Sequence, residues 1–465
     1  MFVNARTPKV AVLGGGPGGY EAALVAAQLG ADVTVVDRDG LGGAAVLTDC
    51  VPSKALVAVA DYMSELEAAS GLGIRVGDGT GRAPSASADI AAINRRILEL
   101  AAAQSSDIES SLSESGVSVV RGTGRLRDTS SVVATTDDGE LTFPADVILV
   151  ATGAMPRTIP TALPDGERIL TWKQLYDLTE LPEHLVVVGS GVTGAELAQA
   201  FLGLGSAVTL VSSREHVLPG FDGDAAAVLE AVVERRGMRV LSRSRMAGVE
   251  RTADGVVVRL EDGRTVEGSH ALIAIGALPQ TGGLGLEEVG VALSASGHVV
   301  VDGVSRTTAR GVYAAGDCTG VLALASVAAM QGRIAMYHAL GDAVAPLNLP
   351  VVCSTIFTDP EIATVGIQQA DIDSGTADAV GTLLPLSGNA RAKMLGIDDG
   401  FVKIFAQRGS GTVRGGVVVA PRASELIYPL TIAVQHRLHV DQLAATFTVY
   451  PSLTGSIAEA ARQLH

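Results

Sequence analysis

Residues 9–39 read KVAVLGGGPGGYEAALVAAQLGADVTVVDRD, and this stretch decides the fold. The apolar run at 10–13 has the length and β-branched content of a buried strand. Gly14-x-Gly16-x-x-Gly19 comes next, then a helical stretch to about Leu29 and a second strand over 33–36. Asp37 ends that strand, 23 residues after Gly14. Glycines at this spacing let the chain turn sharply and let a pyrophosphate approach the backbone. The helix N-terminus supplies partial positive charge, and the carboxylate takes ribose hydroxyls. A glycine motif alone is weak. With strand, helix and acid all in place it points to a bound dinucleotide.

The pattern returns at residues 184–218, HLVVVGSGVTGAELAQAFLGLGSAVTLVSSREHVL. Gly189-x-Gly191-x-x-Gly194 opens a helix, and the second strand ends at Val211. The position equivalent to Asp37 is Ser212, with Ser213 and Arg214 after it. An acid there would repel a 2′-phosphate, whereas hydroxyls and a guanidinium accept one. Two such folds in one chain imply two dinucleotides that meet. The second is expected to be NADPH, with NADH also admitted.

A chain of 465 residues exceeds one ordinary core, and about 150 residues per domain suggests roughly three domains. With 47% hydrophobic and 18% charged residues it is globular and not disordered. A net charge of -16 and only 3% aromatic residues exclude nucleic acid and anionic membrane surfaces as expected partners. The three cysteines, Cys50, Cys318 and Cys353, are too widely spaced for a disulfide framework or a zinc site. That usage fits a reducing cytoplasm, and no metal is expected. The start, MFVNARTPKV, lacks a signal-peptide core. No run is expected to approach the roughly 18 apolar residues of a membrane span.

Between the glycine motifs the pattern predicts a polar helix over about 88–115 and short strands at 117–120 and 131–135, with 71–87 a glycine-rich surface loop. The strands in ADVILVATGAMP and HALIAIGALPQT run into Gly153 and Gly276. GVYAAGDCTG places Asp317 after a strand and before a helix over about 325–340. From about residue 346 the character changes. FVKIFAQ and GGVVVA read as strands separated by Gly/Ser turns, with helices after them, which predicts a separate α+β domain.

In this order the motifs resemble the flavoprotein disulfide reductases, most of all the dihydrolipoamide dehydrogenases. The resemblance spans nearly the whole chain. It rests on both glycine motifs, GGAAVLTDCVPSK at 42–54, ATG at 151–153, Glu196, AIG at 274–276, AAGD at 314–317, TDPEIATVG at 358–366 and NARAK at 389–393. It implies an α/β fold with two Rossmann-like dinucleotide-binding domains plus a C-terminal α+β dimerisation domain. The implied division is 1–153 for FAD, 154–275 for NAD(P)H, 276–345 returning to the FAD domain, and 346–465 for the subunit interface. It implies FAD at Gly14, Gly16, Gly19, Asp37, Arg38, Gly42, Gly43, Lys54, Gly124, Ala151, Thr152, Gly153, Asp317 and Ala325. It implies the nicotinamide dinucleotide at Gly189, Gly191, Gly194, Glu196, Ser212, Ser213, Arg214 and Gly276. Lys54 and Glu196 would pair beside the flavin N5, and a homodimer would complete each site with the partner's C-terminal segment.

The departures from that family are as informative. Ala45 stands where the family has its first redox cysteine, so Cys50 has no disulfide partner there. In TVYPSLTGS at 448–456, Tyr450 replaces the family's catalytic histidine and Gly455 the acid that orients it. Thiol–disulfide exchange needs two sulfurs and a base that makes the attacking thiolate. Losing one sulfur, the base and its orienter together argues against dihydrolipoamide oxidation and glutathione reduction. The departures themselves resemble the actinobacterial lipoamide-dehydrogenase-like NAD(P)H:quinone reductases. That implies ping-pong transfer from NAD(P)H through FAD to a quinone-like acceptor. A soluble pyridine nucleotide transhydrogenase and a non-catalytic flavin-bound scaffold are the other readings.

The catalytic candidates are Lys54, Glu196, Cys50 and Tyr450. Cys50 is either a thiolate acting beside the flavin or a packed remnant of the ancestral pair. Tyr450 either donates a hydrogen bond to a quinone oxygen or fills the space of the lost histidine. Asn389, Arg391 and Lys393 either line an entrance for an anionic substrate or form a solvated loop. Cys318, Cys353 and the run Met330-Gln331-Gly332 are expected to be packing residues.

Overall fold

The computed structural model describes residues 6–74 and 86–465. Residues 75–85, most of the loop expected over 71–87, lie outside the described residues. The helices that position the site are, in chain order, α1 (Pro17–Gln28), α2 (Gly43–Leu47), α3 (Cys50–Ala68), α4 (Ile90–Glu114), α5 (Val192–Gly203), α6 (Gly223–Arg235) and α7 (Ala325–Ala339). The chain divides into two units.

The first unit is Met1–Ser53, Arg95–Arg157 and Gly276–Leu347. Its parallel sheet has the strand order Val312–Ala314, Val147–Val150, Lys9–Leu13, Asp32–Asp37, Ser118–Arg121. Leu13 pairs with Val36 on one side and Val150 on the other, so Gly14 leaves the sheet between the ends of both neighbours. That is the switch point where open α/β sheets bind ligands. Val10, Val12 and Leu13 are all buried, because the sheet is covered on both faces.

Helix packing on this sheet depends on missing side chains. A Cβ on Gly19 would lie 1.9 Å from the Gly14 carbonyl oxygen, so only glycine lets α1 start so close to the first strand. A Cβ on Gly332 would lie 2.1 Å from the Gly18 carbonyl oxygen, so α7 crosses α1 backbone to backbone. The expectation that Met330-Gln331-Gly332 packs is met at Gly332 by this crossing. At its margin Arg333 pairs with Glu21 at 2.8 Å. A three-stranded antiparallel sheet, Thr123–Asp128, Ser131–Thr136 and Gly139–Pro144, completes the unit.

The second unit is Lys54–Asn94, Thr158–Ile275 and Asn348–His465. Its parallel sheet, ordered Arg239–Leu241, Ala207–Val211, His184–Val188, His270–Ile273, Ile169–Leu170, repeats the same crossing. A Cβ on Gly194 would lie 1.8 Å from the Gly189 carbonyl oxygen. The C-terminal part is a five-stranded antiparallel sheet, Cys353–Ile356, Glu361–Gly366, Val413–Ala420, Phe401–Gln407, Ala379–Pro385, covered by short helices. Lys403, buried in this sheet, pairs with Asp222 at 2.8 Å and with Asp224 at 2.6 Å. Asp222 also caps α6 by accepting the Asp224 and Ala225 N–H groups.

Among the described residues, 54–74 and 86–94 cluster with this second unit. Gly203 on α5 admits Ala60 of α3, since a Cβ there would lie 3.2 Å from the Ala60 Cβ. Asn94 donates to the Leu175 and Leu178 carbonyls at 3.1 and 2.8 Å. The membrane expectation needs correcting. Residues Gly43–Ala68 are long and apolar enough to cross a membrane by length and composition, at a mean hydropathy of 1.4. Lys54 and Asp61 interrupt that stretch, and both engage charged groups of the second unit.

The glycine crossing sets a stability expectation. Gly332→Ala should lower the urea unfolding midpoint by an amount equivalent to about 1–3 kcal/mol, the usual cost of overpacking. Gly223→Ala, where nothing lies within 4 Å of the new Cβ, should stay within about 0.5 kcal/mol of wild type. Equal midpoints for the two variants would contradict the packing account.

Candidate active site

The first glycine loop is built around Asp37. Its carboxylate accepts the N–H groups of Gly15 at 2.7 Å, Asp39 at 2.9 Å and Gly40 at 2.6 Å. A carboxylate has about four lone-pair positions, so one remains for a ribose hydroxyl. Gly14 has φ +101, and a Cβ on it would lie 2.3 Å from the Ala151 carbonyl oxygen. Gly43 has φ +55 and faces Gly16, where a Cβ would lie 2.8 Å from the Gly16 Cα. No side chain caps the N-terminus of α1, whose N-cap is Gly16. The Thr48 hydroxyl oxygen is buried with no partner among the described residues. Uncapped N–H groups, a side-chain-free cradle and an orphan hydroxyl fit an anionic dinucleotide.

Other expected cofactor residues divide into those that face this cradle and those that brace it. Arg38 is exposed and its guanidinium pairs with Asp39 at 2.9 Å. That hydrogen bond holds its pKa above the usual arginine value. Gly124 is a packing residue: a Cβ would lie 2.6 Å from the Leu13 side chain. Thr152 donates to the Gln280 carbonyl at 2.6 Å, and Gln280 returns a bond to the Thr152 carbonyl at 3.0 Å. Asp317 comes after Gly316, at φ 81, and burial raises its carboxyl above the ordinary range. Gln331 of α7 accepts the Gly316 N–H at 2.9 Å and so fixes the loop that carries Asp317. The N-terminus of α7 at Ala325 has no side-chain cap either. Sequence reasoning misses Gln280 and gives Gln331 only a packing role, because both act across long sequence separations. Cys318 is fully buried and its thiol is pushed up to about 11, as befits a core residue.

The second glycine loop has the same form, with Gly189 at φ +111, Gly191 as N-cap of α5 and no side-chain cap. Gly276 lies in the first unit with φ +100. Ser212 does not face solvent. It is fully buried, its hydroxyl bonds Ser190 Oγ at 2.7 Å and it accepts the Arg214 N–H at 3.1 Å. The loop therefore presents Ser213 and Arg214, both exposed. Arg243, at φ 51, donates its N–H to the Arg214 carbonyl at 2.8 Å and pairs with Glu215. No sequence motif announces Arg243.

Helix α3 starts at Cys50 and presents Lys54 one turn later. Lys54 Nζ pairs with Glu196 Oε2 at 2.7 Å. Glu196 is 2% exposed, and its Oε1 accepts the Phe357 N–H at 2.8 Å. The Lys54 ammonium lies 5.2 Å from the centre of the Phe357 ring. Gln199, one turn on from Glu196 along α5, accepts the Asp359 N–H at 2.9 Å. Residues 357–359 thus grip α5 at two points. None of the three cysteines is in a disulfide, and no metal-binding group occurs among the described residues.

Tyr450 is 86% exposed in a segment that also exposes Phe447 and Val449. Asn389 braces the C-terminal segment. It caps the helix Ala390–Leu395 and donates to the Ser452 carbonyl at 3.0 Å and Ser456 Oγ at 2.8 Å, anchoring the segment that carries Tyr450. Arg391 and Lys393 are solvated.

Residues 8–332 match the pyridine nucleotide-disulphide oxidoreductase family, and residues 352–461 match its dimerisation domain. The chain is 56% identical over 466 residues to an NAD(P)H dehydrogenase (quinone) of Mycobacterium tuberculosis, covering 98% of this chain and 94% of that one. It is 34% identical to dihydrolipoyl dehydrogenase 3 of Pseudomonas aeruginosa, covering 98% and 97%. Its fold superposes on the crystal structure of LpdA from Mycobacterium tuberculosis with a TM-score of 0.93 at 55% identity, over 99% of this chain and 100% of that one. With both glycine crossings and their flanking strands in place, the chain belongs to the pyridine nucleotide-disulphide oxidoreductase family.

Proposed function

We propose that the protein is a homodimeric, FAD-dependent NAD(P)H:quinone oxidoreductase that works without a redox-active disulfide. One contrast carries the reading. The Lys54–Glu196 ion pair is present with its carboxylate buried, while Ala45, Tyr450 and Gly455 stand where sulfur exchange needs a thiol, a base and an acid. The family depends on FAD and uses NAD(P)H. The name of the Mycobacterium relative supports a quinone as acceptor. The overall change balances as NAD(P)H plus a proton plus quinone giving NAD(P)+ and hydroquinone.

FAD, when bound, supplies a two-electron relay between the nicotinamide and the acceptor. The chain's own residues bind and orient. The N-terminus of α1 and the loop from Gly14 to Gly19 hold one pyrophosphate, and Asp37 offers its remaining acceptor position to a ribose. The N-terminus of α5 holds the second pyrophosphate, and Ser213 and Arg214 take the 2′-phosphate. Lys54 provides a fixed positive charge where negative charge accumulates on hydride acceptance. Glu196 sets the direction of that ammonium, and the face of the Phe357 ring attracts it from 5.2 Å. Tyr450, exposed on its segment, reaches the partner subunit's site and donates a hydrogen bond to a quinone oxygen. Ala45 leaves space for a flat ring where a sulfur would stand. A scaffold would need no ion pair with a buried carboxylate of this kind.

On the nucleotide side, Arg214→Ala should raise the KM for NADPH about 10–100-fold, the loss of one charge-assisted hydrogen bond, with little change for NADH. Steady-state assays with both nucleotides measure it, and an unchanged preference would contradict the role of Arg214.

The acceptor half is tested by benzoquinone and lipoamide reduction at normalised flavin content. Cys50→Ser should keep quinone reduction within about tenfold, and Lys54→Met should lose more. Ala45→Cys should gain no lipoamide activity, because the base and its orienter are still absent. A thousandfold loss in Cys50→Ser would show that sulfur carries the chemistry.

A further inference from the structure

We infer that Asp61 is a positioning residue for the Lys54–Glu196 pair, acting through Arg236 and residues 357–359, and that its protonation sets the pH dependence of NAD(P)H oxidation. The inference rests on the proposed function and names a residue outside the binding machinery.

The connections are on one continuous network. Lys54 and Asp61 are two turns apart on α3, so they lie on the same face. From Lys54 the chain of contacts runs to Glu196, then through the Phe357 N–H to residues 357–359. Asp359 is held from α5 by Gln199. From the end of α6, Arg236 holds it by an ion pair at 2.6 Å. Asp61, Glu196, Gln199, Arg236, Phe357 and Asp359 line one small cavity of about 10 Å³. That is at the lower limit for a single water, while the Arg236 and Asp359 side chains at its rim stay 36% and 31% exposed.

Asp61 faces mostly like charge. Asp359 and Glu361 come from the C-terminal sheet side and Glu65 from its own helix, with Arg236 the opposing cation. Burial first, and then these three carboxylates, push the Asp61 carboxyl up to about 7, while Arg236 pulls it down. A neutral Asp61 leaves Arg236 to Asp359. An ionised Asp61 repels Asp359 and competes for the guanidinium, which loosens the grip of residues 357–359 on Glu196 and so the aim of Lys54.

Linkage fixes the sign for stability. The unfolded carboxyl releases its proton near its ordinary value of 3.8, whereas the folded one keeps it to about 7. Between those values the folded state binds more protons, so stability from this group falls as pH rises and then levels off.

The test uses the FAD-loaded wild type, Asp61→Asn and Asp61→Glu, with two readouts. The first is the urea midpoint against pH. The second is kcat, with the KM for NADPH and the KM for benzoquinone, over the same range. In wild type, kcat should fall several-fold on passing above about pH 7, with KM for benzoquinone unchanged. Asp61→Asn should hold its low-pH kcat throughout and gain in relative stability between about pH 4 and about pH 7. Asp61→Glu should restore an inflection. A pH profile in Asp61→Asn that superimposes on wild type overturns the role of Asp61, as does a pH-independent stability difference. Absence of NADPH-dependent quinone reduction at every pH contradicts the functional reading instead, and the stability arm still decides whether Asp61 titrates in that window.

Discussion

Glu196 is a carboxylate at 2% exposure, held where α3, α5 and residues 357–359 meet. Burying a charge costs several kcal/mol unless it is paired and hydrogen-bonded. Here one oxygen takes the Lys54 ammonium and the other a backbone N–H from Phe357. Removing either partner leaves a buried charge uncompensated, so α3, α5 and residues 357–359 are tied together by one requirement. A protein that needed only a folded scaffold could fill this space with apolar side chains and be as stable. Retaining the pair is the structural argument that a positive charge is needed at Lys54.

The two dinucleotide folds solve one geometric problem twice. In each, a strand must turn directly into a helix whose N-terminus stays open to phosphate. Gly14 with Gly19, and Gly189 with Gly194, meet at distances no Cβ would allow. The sites differ at the end of the second strand. Asp37 spends three hydrogen bonds organising its own loop. Ser212 turns inward to Ser190 and leaves Ser213 and Arg214 exposed at the end of the strand.

The architecture is readable from sequence because periodicity and glycine spacing are local. Both strand–turn–helix units, the polar helix at Ile90–Glu114 and the C-terminal sheet are all legible there. The Lys54–Glu196 pair is reached only through family resemblance, since 142 residues separate the two. Ser212 reads as a phosphate ligand because sequence shows a hydroxyl but not its direction, and the structure turns that hydroxyl inward. Asn389 reads as either an entrance residue or part of a solvated loop for the same reason, and its amide is an anchor. Gln280, Arg243 and Asp61 give no signal. Each acts through neighbours that only the fold brings together, and no motif encodes a cluster of carboxylates drawn from separate segments.

On the proposed function, the departures at Ala45, Tyr450 and Gly455 share one consequence, that reducing equivalents leave without passing through sulfur. The most direct measurement is an anaerobic titration of the purified flavoprotein with dithionite, and then addition of benzoquinone or lipoamide. The account predicts an endpoint of two electrons per subunit and reoxidation by the quinone alone. A four-electron endpoint, or reoxidation by lipoamide but not by quinone, would contradict it.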